Sequence, residues 1–401
     1  MPEFSARFLL SNNFPGSGTR LTSDFANAFV RRGIPTEILY PSVDWWDYKC
    51  FTLPGVSRGK RWKWRLQMAG EAVRGAGLPP AWCGFRHHSI DSRVRVRRYG
   101  RIPSAAGWTP EAVTVVHCPY QIPHLLKTLP SARTKLVSVI HINLEEAMAS
   151  ETPEVAAWYR HCAALDRLLR VPRYAVSEVA KRSAERLGIP VQKVIHNGVD
   201  LKLFRPMGAA GPRPDPSWVV TLYCDLKTQK GQIYGLRALQ AVREAAGDRN
   251  LQFRSIGAVI PGYAGLFDRH YGYLHGEAYA KALRESDVLV YPSLYDGFPA
   301  PPLEALASGC ALVTTSVEGV TEYAVDGENC LLSEPANVGM LKDQILRALD
   351  QQELRRRIQN NGPKTAERFS IDHCAGELLG FLEQVHEETS EETPHPWVAV
   401  R

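Results

Sequence analysis

The sequence predicts an α/β protein made of two successive doubly wound domains, each with a parallel sheet. Short apolar runs alternate with stretches of helical period, the alternation breaks once at a Pro/Gly-rich segment, and beyond that segment it starts again. With 401 residues, 44% of them hydrophobic and 22% charged, the chain is long enough and apolar enough for two cores of ordinary size.

The elements follow in order. "ARFLLS" reads as a strand, "TSDFANAFVRRG" as a helix with a Ser/Asp start and apolar positions at Phe25, Ala28 and Phe29, and "PTEILYP" as the next strand. Together they form a βαβ unit. "AVTVVH", "KLVSVIH" and "RYAVS" continue the strands, followed by the helix "EVAKRSAERLG" and the strand "KVIHNGVD". Residues 205–217, "RPMGAAGPRPDPS", neither cap nor continue an element and read as a linker. The second series is "WVVTLYC", "GQIYGLRALQAVREAA", "LQFRSIGAV", "EAYAKALRESD", "VLVYPS", "PPLEALASG" and "ALVTTS". The expected organisation is an N-terminal domain over 1–200, a C-terminal domain over 201–370, a helix over 371–388 that crosses back to the first domain, and a tail over 389–401. Ligands of such sheets sit outside the carboxyl ends of the strands, and two such domains facing each other make a cleft.

Charge is uneven along the chain. Residues 1–130 hold 18 Lys/Arg against 8 Asp/Glu, a surplus of +10 that leaves the remainder at −4 within the formal net charge of +6. The surplus gathers at Arg61, Trp62, Lys63, Trp64 and Arg65, where tryptophans interleave with cations, and again from Arg93 to Arg98. That pattern suits an anionic surface of phosphates or lipid headgroups, or else a solvated basic loop region. No helix-turn-helix, zinc-finger or RRM signature accompanies it, so nucleic acid is not an expected partner.

The eight cysteines are scattered with no C-x-x-C pair, so neither a disulfide framework nor a zinc knuckle is expected. "CGFRHH" at Cys83–His88 stands alone, and no metal is expected. No apolar run approaches the roughly 18 residues that span a bilayer, and "MPEFSARFLLSNNFPG" lacks the basic segment and apolar core of a signal peptide. The expected location is the cytoplasm, with a peripheral contact at the inner face of an anionic membrane.

"YDGFPAPPLEALASG", Tyr295–Gly309, places Asp296 and Glu304 eight positions apart just beyond the strand "VLVYPS", where a ligand crevice is expected. Pro301 and Pro302 fit the first turn of a helix, Gly309 fits its end, and Glu304 is expected in the first turn. Two bland readings are open, a carboxylate answering the helix dipole and an Asp-Gly turn. Gly16 and Gly18, in "FPGSGT" after the first strand, would let backbone N–H groups approach phosphates or a sugar, or would form a plain flexible turn. His117 and His141 end two strands and would point from them into the cleft, or would be structural.

The segment around Asp296 and Glu304 resembles the donor-sugar motif of retaining GT-B glycosyltransferases, family GT4 or glycosyl transferases group 1, in which two acids stand in an E-x7-E pattern. The resemblance extends through "RYAVSEVAKRSAERLG", "KVIHNGVDLKLFRP", "LKTQKG", "ESDVLVYPS", "GCALVTTSVEGVTEYAVDGENCLL" and "FSIDHCAGELLGFLEQV", and is weak before about residue 130. It implies a GT-B fold and a retaining hexosyl- or deoxyhexosyltransferase that needs no cofactor and takes a nucleotide-diphosphate sugar as co-substrate. The acceptor it implies is a hydroxyl of a lipid-linked or cell-envelope glycan, as in polysaccharide biosynthesis. Glu304 would accept hydrogen bonds from the nucleotide ribose, Asp296 would hold sugar hydroxyls, Lys230 would pair with the diphosphate, and Gly297, Phe298 and Ala300 would offer backbone N–H groups to the donor. His141 matches the family's histidine beside the transferring sugar. Arg61 to Arg65 would form the acceptor or membrane surface.

Two departures stand out. Asp225 occupies the place of an arginine that the family sets on the diphosphate, and Pro299 replaces a glycine. Asp225 either points away, is compensated by Lys227 or by an arginine of the N-terminal domain, or impairs the donor site. A non-catalytic GT-B subunit, a sugar-nucleotide binder and a GT-B phosphorylase or synthase are therefore the alternatives.

Overall fold

The computed structural model describes residues 4–10, 17–41, 90–99, 111–128, 135–149, 153–169, 171–206, 217–247 and 249–389. Gly16, Arg61 to Arg65, Cys83–His88, most of the linker and nearly all of the tail lie outside the described residues. The chain divides into two compact units, Met1–His196 with Cys374–Arg401, and Asn197–His373. These divisions fall a few residues from those read in the sequence.

In the first unit the described strands are β1 (Ser5–Leu9), β2 (Thr36–Pro41), β3 (Arg95–Tyr99), β4 (Ala112–Val116), β5 (Lys135–Ile140), β6 (Arg173–Ala175) and β7 (Lys193–Val194). They lie in the order β3-β2-β1-β4-β5-β6-β7, every pair parallel. β4 and β5 are buried along their whole length, as parallel strands covered on both faces must be, which is why they read as unbroken apolar runs. The order reverses between β1 and β4, so the segments that leave these strands diverge and open a crevice at their carboxyl ends.

Two sequence expectations need correction here. The first helix runs over Ser17–Arg31 and does not start at the Thr22-Ser23-Asp24 cap. Inside it, the Thr22 hydroxyl donates to Gly18 O at 2.9 Å and the Ser23 hydroxyl to Thr19 O at 2.9 Å, back-bonding that lets these side chains sit within a helix instead of capping it. Gly18 is consequently an exposed residue of the first helical turn and not of the preceding loop. The second correction concerns Arg93 to Arg98, which do not form a free basic loop. Arg95–Tyr99 is β3, Arg97 donates to Glu37, buried Arg7 donates to the same carboxylate at 2.7 Å, and Arg93 pairs with Asp91 at 2.7 Å.

The helix Ile371–Glu388 belongs to the first unit from Cys374 onward. Phe381 meets Tyr174 edge-on at 6.3 Å, His386 lies 5.3 Å from the Phe4 ring, and Lys135 Nζ donates to His386 O at 3.1 Å. No helix among the described residues is long and apolar enough to cross a membrane.

The second unit repeats the architecture with β8 (Trp218–Cys224), β9 (Leu251–Gly257), β10 (Arg269–His270), β11 (Val288–Tyr291), β12 (Ala311–Thr315) and β13 (Leu331–Ser333). Their order is β10-β9-β8-β11-β12-β13, again all parallel. Val220, Leu222, Phe253, Val290 and Val313 of the sheet form one core with Leu236 and Leu239 of the helix Gln232–Ala245 and Ile345 of the helix Val338–Asp350. The order reverses between the paired strands β8 and β11, so the segments that follow them border one crevice at the carboxyl edge.

Candidate active site

The β8 exit runs through a short turn, Thr228–Lys230, to Gly231, whose φ of 60° is left-handed. A Cβ at this glycine would lie 1.9 Å from Pro292 O, so only glycine lets the turn rest on the β11 exit. Leu294 N donates to Gln229 O at 2.8 Å and fastens the two exits together. Lys230 is thereby carried to Asp296, with Nζ 2.6 Å from Oδ1 and 2.8 Å from the Tyr291 hydroxyl. Tyr291 in turn donates to Asp296 Oδ2 at 2.9 Å, and Ser293 Oγ donates to the same oxygen at 2.5 Å.

This is an enclosed charge pair, its side chains 15% and 9% exposed. Burial, with the Asp296 charge next, pushes the Tyr291 phenol well above its ordinary value and keeps it a neutral donor. A carboxylate accepts about four hydrogen bonds, and Asp296 takes three, so the remaining capacity is on Oδ1, beside the lysine. Tyr291 and Ser293 are site residues that sequence reading missed. Their signal was their spacing, five and three positions before Asp296 at the end of a strand.

The loop between the acids is fixed from several sides. Phe298 packs against Tyr323 at 5.1 Å and Phe369 at 5.3 Å, Tyr323 OH donates to Pro299 O at 3.0 Å, and Asn197 Nδ2 donates to Phe298 O at 2.9 Å. A side chain at Gly319 would strike Asp296 O at 2.3 Å, so glycine is required there as well. Gly297, Phe298 and Ala300 are all buried in this clamp. Pro299 is the N-cap of the helix Ala300–Ala307, which places Pro301 and Pro302 in its first turn. At its far end Gly309 N bonds Leu306 O and Cys310 N bonds Ala305 O, with Gly309 at φ 71°. Glu304 is the fifth helical residue, not a member of the first turn as the sequence suggested. At 1% exposure it cannot be a surface carboxylate answering the helix dipole.

Asp225, at the departure from the family pattern, is half-buried, and its Oδ1 accepts from Lys227 N–H at 3.0 Å. It closes its own turn, as aspartates after strands commonly do.

In the first unit, His117 and His141 come from the ends of neighbouring strands β4 and β5. Their rings stack at 5.1 Å and 20°, with His117 Nδ1 3.1 Å from His141 Nε2. Thr22 Oγ1 lies 3.5 Å from His117 Nε2. The surrounding protein disfavours charge on both rings, lowering His141 to about 4 and His117, next to His141, well below its ordinary value. His141 keeps an exposed edge, and His117 is half-buried. Among the described residues no group of three or more His, Cys, Asp or Glu could hold a metal ion.

Residues 269–365 match the family described as Glycosyl transferases group 1. This matched segment of the second unit is similar to group 1 glycosyl transferases. The match covers Asp296 and Glu304 and leaves Lys230 and the first unit outside it. An uncharacterized glycosyltransferase of Methanocaldococcus jannaschii is 34% identical over 112 residues, 28% of this chain and 31% of that protein. The MMP alpha-(1->4)-mannosyltransferase of Mycolicibacterium hassiacum is 35% identical over 113 residues, 28% of each chain. The chain thus matches about three tenths of the length of these curated relatives. The crystal structure of Anabaena HepE in complex with UDP-glucose superposes with a TM-score of 0.67 at 15% identity, covering 95% of this chain and all of that one. The fold is GT-B, two Rossmann-like domains with parallel sheets, as the sequence predicted.

Proposed function

We propose that the chain is a retaining glycosyltransferase that moves a sugar from a nucleotide-diphosphate donor to a hydroxyl of a lipid-linked or cell-envelope glycan, without a metal. The observation that carries this reading is the Lys230–Asp296 pair at the strand-order reversal of the second sheet, eight residues before buried Glu304 inside the segment similar to group 1 glycosyl transferases. Lys230 holds the diphosphate and stabilises charge on it as the sugar leaves. Asp296 uses its remaining acceptor capacity for a sugar hydroxyl, and Glu304 accepts from the ribose. The acceptor hydroxyl attacks on the face from which the diphosphate departs, and the leaving phosphate takes the proton. His141 orients the sugar as a neutral ring and does not act as general base. The HepE complex with UDP-glucose and the mannosyltransferase relative support a nucleotide-sugar donor and a glycan product. The basic, Trp-rich stretch from Arg61 to Arg65 supports an anionic acceptor or a peripheral membrane contact on the cytoplasmic side.

The test is a thermal-shift screen of the full chain with UDP, GDP, dTDP and ADP, because a ligand that binds only the folded state raises its stability. One nucleotide is expected to raise the melting temperature, and its sugar conjugate to be hydrolysed slowly without acceptor. Lys230→Ala is expected to lower kcat/KM at least about tenfold, the equivalent of about 1.4 kcal/mol of transition-state stabilisation. Binding with no turnover, even with an acceptor pool, would assign the chain to a non-catalytic GT-B subunit or sugar-nucleotide binder.

A further inference from the structure

The Thr22–His117–His141 contacts favour one proton order. A carbonyl only accepts, so the Thr22 hydroxyl spends its proton on Gly18 O and turns oxygen lone pairs toward His117 Nε2. With that proton on the nearer acceptor, 2.9 Å away against 3.5 Å, the arrangement that completes the second contact is a proton on His117 Nε2. A neutral imidazole with a proton on Nε2 has a bare Nδ1, and the atom 3.1 Å from that lone pair is His141 Nε2. His141 then carries its own proton on Nε2, and its Nδ1 is a bare acceptor with no partner among the described residues.

We propose that His117, set by Thr22, is a positioning residue that fixes His141 in the Nε2–H tautomer, so that His141 meets a bound hydroxyl as a hydrogen-bond acceptor at Nδ1. Three elements supply the chain: the first helix, the end of β4 and the end of β5. Turning the His141 ring over would put Cε1 in place of Nε2 beside His117 Nδ1, so that bond opposes the flip. Both rings are held toward the neutral form, as this proton order requires. A fixed acceptor selects the orientation of a donor hydroxyl and cannot donate to a phosphate from the same nitrogen. This consequence for catalysis rests on the glycosyltransferase reading; the proton order itself does not.

The test is nitrogen-15 NMR of the histidine-labelled full chain at neutral pH, which distinguishes protonated from bare ring nitrogens. Wild type is expected to show one His141 tautomer with the proton on Nε2. His117→Phe keeps the ring volume and removes the acceptor, and should leave His141 divided between two tautomers. His117→Asn returns an acceptor near the Nδ1 position and should restore the single form. In hydrolysis of the sugar conjugate of the nucleotide that the thermal-shift screen selects, His117→Phe should lower kcat about tenfold, the worth of about 1.4 kcal/mol, with KM unchanged, and His117→Asn should recover most of it. A wild-type His141 proton on Nδ1, or a His117→Phe spectrum unchanged at His141, would overturn the proposal. An unchanged kcat in His117→Phe would overturn its catalytic part, provided Lys230→Ala lowers hydrolysis in the same assay. If Lys230→Ala has no effect either, the donor-site reading has failed and the spectra still decide the tautomer.

Discussion

Asp296→Asn separates the ion pair from the shape of the site, because the amide is nearly isosteric. Lys230 would lose its counter-ion while 15% exposed, and Tyr291 and Ser293 would keep a partner by reorienting their hydroxyls. Removing one member of a buried pair costs about 3–5 kcal/mol, and access of water to the lysine places this case at the lower end, about 3 kcal/mol. For a unit of this size, that is a fall of roughly 6–12 °C in melting temperature. Binding of free nucleotide diphosphate should move the other way, since Lys230 would no longer divide its charge between carboxylate and ligand. Calorimetry of unfolding and titration with UDP and GDP measure the two effects on one sample. A variant as stable as wild type would show that the pair does not hold the two strand exits together. A loss of nucleotide affinity as large as the loss of transfer would show that Asp296 supports the loop and does not contact the sugar.

Gly231→Ala should destabilise the second unit by more than about 1 kcal/mol, since a left-handed alanine there also meets Pro292 O; a urea titration equal to wild type would refute the close approach. Both histidines are lowered in the folded chain, so the unfolded chain takes up protons first. The contribution of His141 is complete above about pH 6.5 and is lost as pH falls toward about 4, that of His117 runs in the same direction, and His141→Gln should make the slope shallower in unfolding curves. Arg61, Lys63 and Arg65 changed together to Ser should abolish pelleting with anionic vesicles at low salt. Each cation near such a surface contributes about 1 kcal/mol. Equal pelleting of both proteins, or release of neither at high salt, would remove the membrane contact.

The strands were legible because two-sided burial writes them as continuous apolar runs, as in "KLVSVI" and "VLVY". β3 was not, since its arginines look like a solvated stretch until Glu37 on the neighbouring strand is known. The helix start at Ser17 was hidden for a related reason: Thr22 and Ser23 look like caps when their bonding to carbonyls four residues back cannot be seen. Asp296, Glu304 and Lys230 were each visible as candidates. Their pairing was not, because Lys230 and Asp296 are 66 positions apart and meet only where the strand order reverses. Strand-end histidines in "AVTVVH" and "KLVSVIH" were suggestive, but adjacency of β4 and β5 was needed to stack them.

The second unit is an insertion within the first, since the helix that covers Tyr174 and binds Lys135 comes from beyond residue 373. During synthesis from the N-terminus, every residue of the second unit is therefore available before the first unit receives its last helix. Of the two units, the one whose synthesis starts first is completed second. A chain cut between residues 374 and 388 would carry every residue of the second unit and lack part of the helix that meets Phe4, Tyr174 and Lys135 in the first.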